Sequence, residues 1–188
     1  MASTADFKMG LCLNHNGDLV RIIDFQHVKP GKGGAFVRTK FQSFKTGKIY
    51  DYTYNSGEKV DIIRVETREN QYLYKEENGF VFMDQNTFEQ VTVEEDMISG
   101  SEFMKEGQQV LLQFHAETEQ VLSAELPPYV TLKVTYAEPA VKGNTATGAT
   151  KKITLETGAV VNAPLFIEEG DLVKIDTREG KYSERVKE

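Results

Sequence analysis

Apolar and polar residues alternate in short runs along most of the chain, and the alternation predicts strands. The cleanest run is Val130-Thr-Leu-Lys-Val-Thr-Tyr136, which places Val130, Leu132, Val134 and Tyr136 on one face. Leu19-Val-Arg-Ile-Ile-Asp-Phe25 and Ala35-Phe-Val-Arg-Thr-Lys-Phe41 read the same way. In the second of these, Ala35, Val37, Thr39 and Phe41 share one face while Arg38 and Lys40 lie on the other. Asn-Gly (16–17, 78–79), Ser-Gly (56–57, 99–100) and Thr-Gly (46–47, 147–148, 157–158) separate the runs. No long stretch carries the helical period. A short helical turn is expected within 94–105, where Glu94, Glu95 and Asp96 suit a helix N-terminus. The pattern predicts an all-β protein, and 188 residues leave room for three modules of roughly 60 residues each.

Two boundaries follow. Pro127-Pro128 cannot donate to a ladder and interrupts the pattern just before the strand at 130–136. Charge supplies the other. Residues 1–65 hold ten Lys and Arg against six Asp and Glu, for +4; residues 66–128 hold three against fourteen, for −11; residues 129–188 hold nine against nine. Modules at 1–65, 66–128 and 129–188 are therefore expected. The acidic middle segment reads either as an oriented partner surface or as a solvated face. Ile62-Ile-Arg-Val-Glu-Thr-Arg-Glu-Asn-Gln-Tyr72 echoes Leu172-Val-Lys-Ile-Asp-Thr-Arg-Glu-Gly-Lys-Tyr182, each read as a strand leaving into a charged turn.

Composition narrows the chemistry. The single Cys12 reads as a small buried hydrophobe, and one thiol makes neither an internal disulfide nor a paired-cysteine site, so a reducing, cytoplasmic setting is expected. The N-terminus has no basic stretch followed by an apolar one, and no run is long enough to span a bilayer. His15, His27 and His115 lack ligand spacing, so no metal or cofactor is expected. No nucleophile elbow, dinucleotide-binding glycine motif or singled-out acid/base pair supports an enzyme.

One window departs from the overall acidity. Between Asp24 and Asp51 there is no acid, but Lys29, Lys32, Arg38, Lys40, Lys45 and Lys48 are present. Its centre, His27-Val-Lys-Pro-Gly-Lys-Gly-Gly-Ala-Phe36, reads as a tight hairpin tip: Pro30 fixes its own φ, and Gly31, Gly33 and Gly34 can adopt positive φ without a Cβ penalty. Lys32 stands at the apex. A phosphate-binding loop is excluded, because Gln26 occupies the place of the first glycine and Gly33 that of the Ser or Thr. The tip by itself leaves two readings, a solvated turn lysine or a cation presented to a polyanion. Two other segments have contact chemistry. Lys142-Gly-Asn-Thr-Ala-Thr-Gly-Ala-Thr-Lys-Lys152 is a small polar loop suited to sugar-phosphate or base-edge contacts, or an ordinary long β-loop. Tyr182 and Arg185 suit base stacking and phosphate pairing, although Tyr182 equally suits a barrel plug.

The Lys29–Phe36 tip, the strand expected at Phe88-Glu-Gln-Val91, the Lys142-Gly-Asn-Thr-Ala146 loop and the block from Thr157-Gly-Ala-Val-Val-Asn-Ala-Pro-Leu-Phe-Ile167 to Arg178 together resemble the bacterial elongation factor P family nearly end to end. The resemblance implies an SH3-like, KOW-type barrel followed by two OB-folds, arranged in an L that mimics transfer RNA. It implies a monomeric, non-enzymatic factor of the cytoplasm. Such a factor binds the 70S ribosome, its RNA and proteins, between the peptidyl and exit sites, and stimulates peptide-bond formation where consecutive prolines stall synthesis. Lys32 matches the tip residue that a modifying enzyme enlarges and that approaches the peptidyl-tRNA. Lys29, Arg38 and Lys40 would grip RNA around it, and Gly143, Asn144 and Thr145 match the loop held near the exit-site codon of the message. Asn144 stands where the family usually has Asp, and Ala163-Pro164 where Val-Pro is common. A free OB-fold protein binding single-stranded RNA is the rival reading, and the −11 segment opposes it.

Overall fold

The computed structural model describes residues 2–139 and 148–186. The protein is all-β, as the alternation indicated. The described residues form strands β1 (Ala2–Ser3), β2 (Cys12–His15), β3 (Asp18–Val28), β4 (Phe36–Ser43), β5 (Ile49–Asn55) and β6 (Lys59–Ile63), then β7 (Val65–Glu76), β8 (Gly79–Asp84), β9 (Gln90–Val93), β10 (Ile98–Ser99), β11 (Gln109–His115) and β12 (Val121–Glu125). The last five are β13 (Tyr129–Ala137), β14 (Thr150–Leu155), β15 (Val160–Pro164), β16 (Leu172–Asp176) and β17 (Lys181–Val186). Their sheet orders are β1-β6-β2-β3-β4-β5, β10-β12-β11-β7-β8-β9 and β15-β14-β13-β16-β17. The chain divides into two compact units, residues 1–68 with 112–123 and residues 69–111 with 124–188.

In the first unit, β4 buries Val37, Thr39, Phe41 and Ser43 and exposes Arg38 and Lys40, so the strand has the faces its sequence specified. Val37 and Phe41 join Phe7, Leu13, Val20, Ile22 and Tyr54 in the core. Cys12 is buried beside them, and burial pushes its thiol above the usual range. His15 sits at the core's edge among aromatic rings. Its Nδ1 lies 2.6 Å from Tyr54 Oη, and Tyr52 stands edge-on at 4.4 Å between ring centroids. Burial lowers the His15 pKa from its ordinary 6.5, against the opposing pull of Asp18 and Glu58. The unfolded imidazole therefore protonates first as pH falls, so stability is complete above pH 6.5 and declines below it toward the folded value. Melting temperature compared at about pH 7.5 and 5.5 should fall less for His15→Gln than for the wild type.

The second unit contains the expected helical turn as two separate 3-10 turns, Glu95–Met97 and Ser101–Phe103. Phe103 leaves the second of them to pack with Val130, Leu132, Val134, Ile153, Leu155 and Ile175 in one core. The diproline segment is held as well: Thr177 donates through Oγ1 to the Pro127 carbonyl at 2.7 Å and through N–H to that of Pro128 at 3.0 Å. Two sequence expectations change here. Val130, Leu132 and Val134 are buried but Tyr136 is 53% exposed, because the β13–β14 register shifts between Val134 and Tyr136 and turns the next side chain outward. The echo at 62–72 does not leave into a turn; β7 runs on through buried Asn70, whereas 176–181 turns at Gly180 with φ +64°.

Gly79 is more than half of an Asn-Gly turn. Its φ is +151°, and a Cβ there would lie 2.3 Å from the Val93 carbonyl oxygen, a backbone atom of the neighbouring strand β9. Gly79→Ala should cost at least about 3 kcal/mol, read as a lower denaturation midpoint at unchanged slope.

Candidate functional site

The acid-free window forms the β3–β4 hairpin. Its last paired residues are Val28 and Phe36, leaving residues 29–35 as a seven-residue tip. The nearest core residue is Val37, so nothing in the tip takes part in packing, and Lys29, Pro30, Gly31, Lys32, Gly33 and Gly34 are all exposed. The tip is therefore longer than the tight turn expected from its glycines. Only Gly33 adopts positive φ, at +106°; Gly31 and Gly34 do not, because a seven-residue loop can reverse direction with a single left-handed position. A Cβ at Gly31 or Gly34 would meet nothing within 4 Å. Their bareness serves no internal packing; it keeps the loop thin on either side of Lys32.

The hairpin's basic residues have unequal surroundings. Arg38 lies opposite Gln26 on β3 and Thr53 on β5, with its guanidinium carbon 5.6 Å from the Phe36 ring centroid. Lys40 lies opposite Asp24 and Asp51. The two acids that bound the window in sequence thus flank Lys40 across the ladder. Toward the tip, Lys29 and Lys32 lie beyond the ladder and Arg38 has no acid opposite it; at the base of the hairpin Arg21 lies opposite Gln42 and Cys12, and Lys45 and Lys48 lie between β4 and β5. Pairing of distant strands created this arrangement, and a linear count of charges could not reveal it.

The remaining sequence-derived residues are elsewhere. Gly143, Asn144 and Thr145 lie outside the described residues. Tyr182 is half-buried against the core that contains Phe103, and burial raises its phenol pKa. Arg185 extends its guanidinium 5.9 Å from the Phe166 ring centroid and 3.6 Å from the Asp171 carboxylate. Phe88 is not in a strand as its motif suggested: β9 begins at Gln90, and Phe88 occupies the preceding turn. Among the described residues no three His, Cys, Asp or Glu side chains form a group able to hold a metal ion. None of the described helices is long and apolar enough to cross a membrane.

A basic hairpin tip on a small barrel, followed by further curled sheets, has counterparts among known proteins. The KOW-like domain of elongation factor P matches residues 3–60, its OB domain residues 65–123, and its C-terminal domain residues 130–185. The chain belongs to the elongation factor P family. Elongation factor P of Flavobacterium johnsoniae is 55% identical over 188 residues, covering 100% of both chains. Elongation factor P 1 of Porphyromonas gingivalis is 54% identical, again over 100% of both. The Chloroflexus aggregans protein is 47% identical over 98% of each chain. Among solved structures, the eukaryotic translation initiation factor 5A from Methanococcus jannaschii superposes with a TM-score of 0.53 at 21% identity, covering 65% of this chain and 92% of that one. At that identity the likeness is one of fold.

Proposed function

We propose that the protein binds the 70S ribosome between the peptidyl and exit sites and accelerates peptide-bond formation at consecutive prolines by holding the peptidyl-tRNA in reactive geometry. The observation that carries this reading is the tip: Lys32 on an exposed loop of glycine and proline, beyond the last core contact of a barrel matched to the family's KOW-like domain. Proline is a constrained nucleophile and donor, so its reactions gain most from a factor that fixes orientation, and no bond need be made by the factor itself. Lys29 and Arg38 would contact the RNA backbone beside the tip, with Lys40 weaker because Asp24 and Asp51 lie opposite it. A primary amine at the apex can be acylated or alkylated, so Lys32 is the residue on which a modifying enzyme would extend the reach. Three modules, 1–65, 66–128 and 129–188, are the organisation this reading supposes, with Gly143, Asn144 and Thr145 the residues that would meet the exit-site codon.

The test is synthesis of a Pro-Pro-Pro reporter in cells lacking their own copy of the factor. The wild-type chain should restore synthesis and Lys32→Ala should not. Equal rescue by both would sink the proposal, and salt-sensitive binding to bare single-stranded RNA without rescue would favour a free RNA-binding protein instead.

A further inference from the structure

Three non-glycine residues among those described have positive φ: Asn16 at 54°, Phe88 at 60° and Glu119 at 57°. Asparagine tolerates that conformation, and Glu119 is tied to Arg68 by two hydrogen bonds of 2.7 and 3.0 Å. Phe88 is different. It is a bulky side chain in a conformation that glycine adopts with less strain, and it is 70% exposed.

The turn around it is firmly built. Asp84 is buried, and its Oδ1 accepts the N–H groups of Asn86 at 2.7 Å and Thr87 at 3.0 Å. Its carbonyl accepts the Phe88 N–H at 3.0 Å, and its own N–H donates to the Glu89 carbonyl at 2.9 Å. The chain thus fixes a phenyl ring in strained backbone and leaves most of it in water. Strain with no intramolecular return points to use against a partner, and a rigid exposed aromatic is well suited to be an anchor.

Charge identifies the kind of partner. Residues 66–128 hold fourteen acids, and their three basic side chains are all engaged: Arg68 with Glu66 and Glu119, Lys75 with Glu95, Lys105 with Glu156. Exposed Glu69 and Glu89 border the turn itself; Gln85 N–H donates to the Glu69 carbonyl at 3.2 Å. A phosphate backbone would be repelled there, whereas Lys or Arg is attracted both to the carboxylates and to the ring face. We propose that Phe88 docks into an apolar cup rimmed by Lys and Arg on a ribosomal protein, a contact separate from the Lys32 tip. This rests on the reading that the chain binds the ribosome.

The experiment uses the full chain and purified 70S ribosomes. Phe88→Gly should melt no lower than the wild type, since the strain is relieved, yet bind 70S ribosomes at least about tenfold more weakly. Phe88→Trp should retain binding. A photoreactive benzoylphenylalanine placed at position 88 should cross-link to a ribosomal protein. Binding of Phe88→Gly within about twofold of wild type, a lowered melting temperature, or cross-linking to ribosomal RNA would each overturn the proposal. If the wild type itself fails to bind 70S ribosomes, the functional reading falls and this one with it. If wild type and Lys32→Ala both bind and Phe88→Gly binds equally well, only this inference falls.

Discussion

Lys32→Ala protein is expected to fold and melt as the wild type does while leaving a Pro-Pro-Pro reporter stalled. The two halves of this result have separate causes. Lys32 is exposed on a loop beyond the last core contact, so its removal should change stability by no more than about 0.5 kcal/mol. Reporter synthesis should fall about tenfold or more, each factor of ten corresponding to about 1.4 kcal/mol of lost transition-state positioning. Lys32→Arg sharpens the result. Arginine keeps a long cationic side chain but not the primary amine, so it should rescue if charge and length suffice and fail if the amine must be extended. Intact mass of the native protein, followed by that of the peptide containing residue 32, reports whether such an extension is present. Full rescue by Lys32→Ala would remove the tip from the mechanism.

Phe103→Ala should be the most damaging substitution for the second unit. The ring is 3% exposed within a core that includes Leu132, Ile153 and Ile175, and it lies 3.5 Å from where a Cβ on Gly180 would stand. Truncation removes apolar contacts and leaves a cavity walled by strands that cannot easily close on it, at a cost of about 3–5 kcal/mol. Urea unfolding should show this loss, and hydrogen exchange should accelerate at 130–134 and 153–155, the strands that share its core. Phe103→Leu should recover most of it, since much of the volume is kept. Unchanged stability of Phe103→Ala would mean that the turn at 101–103 is not part of that core.

Much of this was legible along the chain because alternation is a local property. A strand sends successive side chains to opposite faces whatever its neighbours do, so the buried face of 35–41 and most of that of 130–136 could be read directly. Tyr136 escaped because a bulge is made by two strands together, and its partner strand, β14, begins only at Thr150. Gly79, read as turn punctuation, is also a site of close approach to the Val93 backbone, and nothing adjacent in sequence announces that strand. Phe103 and Thr177 were missed for the same reason: the groups they hold, the core around Leu132 and the carbonyls of Pro127 and Pro128, are distant in sequence.

The site divides along the same line. By itself the sequence determined the all-β pattern, the acid-free window, the thin glycine-proline tip with Lys32 at its apex, and the acidic character of 66–128, because residue identity and two-residue periodicity carry those properties. Only the tertiary structure decided that the tip is a seven-residue loop with one left-handed glycine, that Asp24 and Asp51 lie opposite Lys40, and that Phe88 stands exposed in a strained turn. Each of these depends on strand register and backbone dihedrals, which hydrogen bonds between segments far apart in the chain establish.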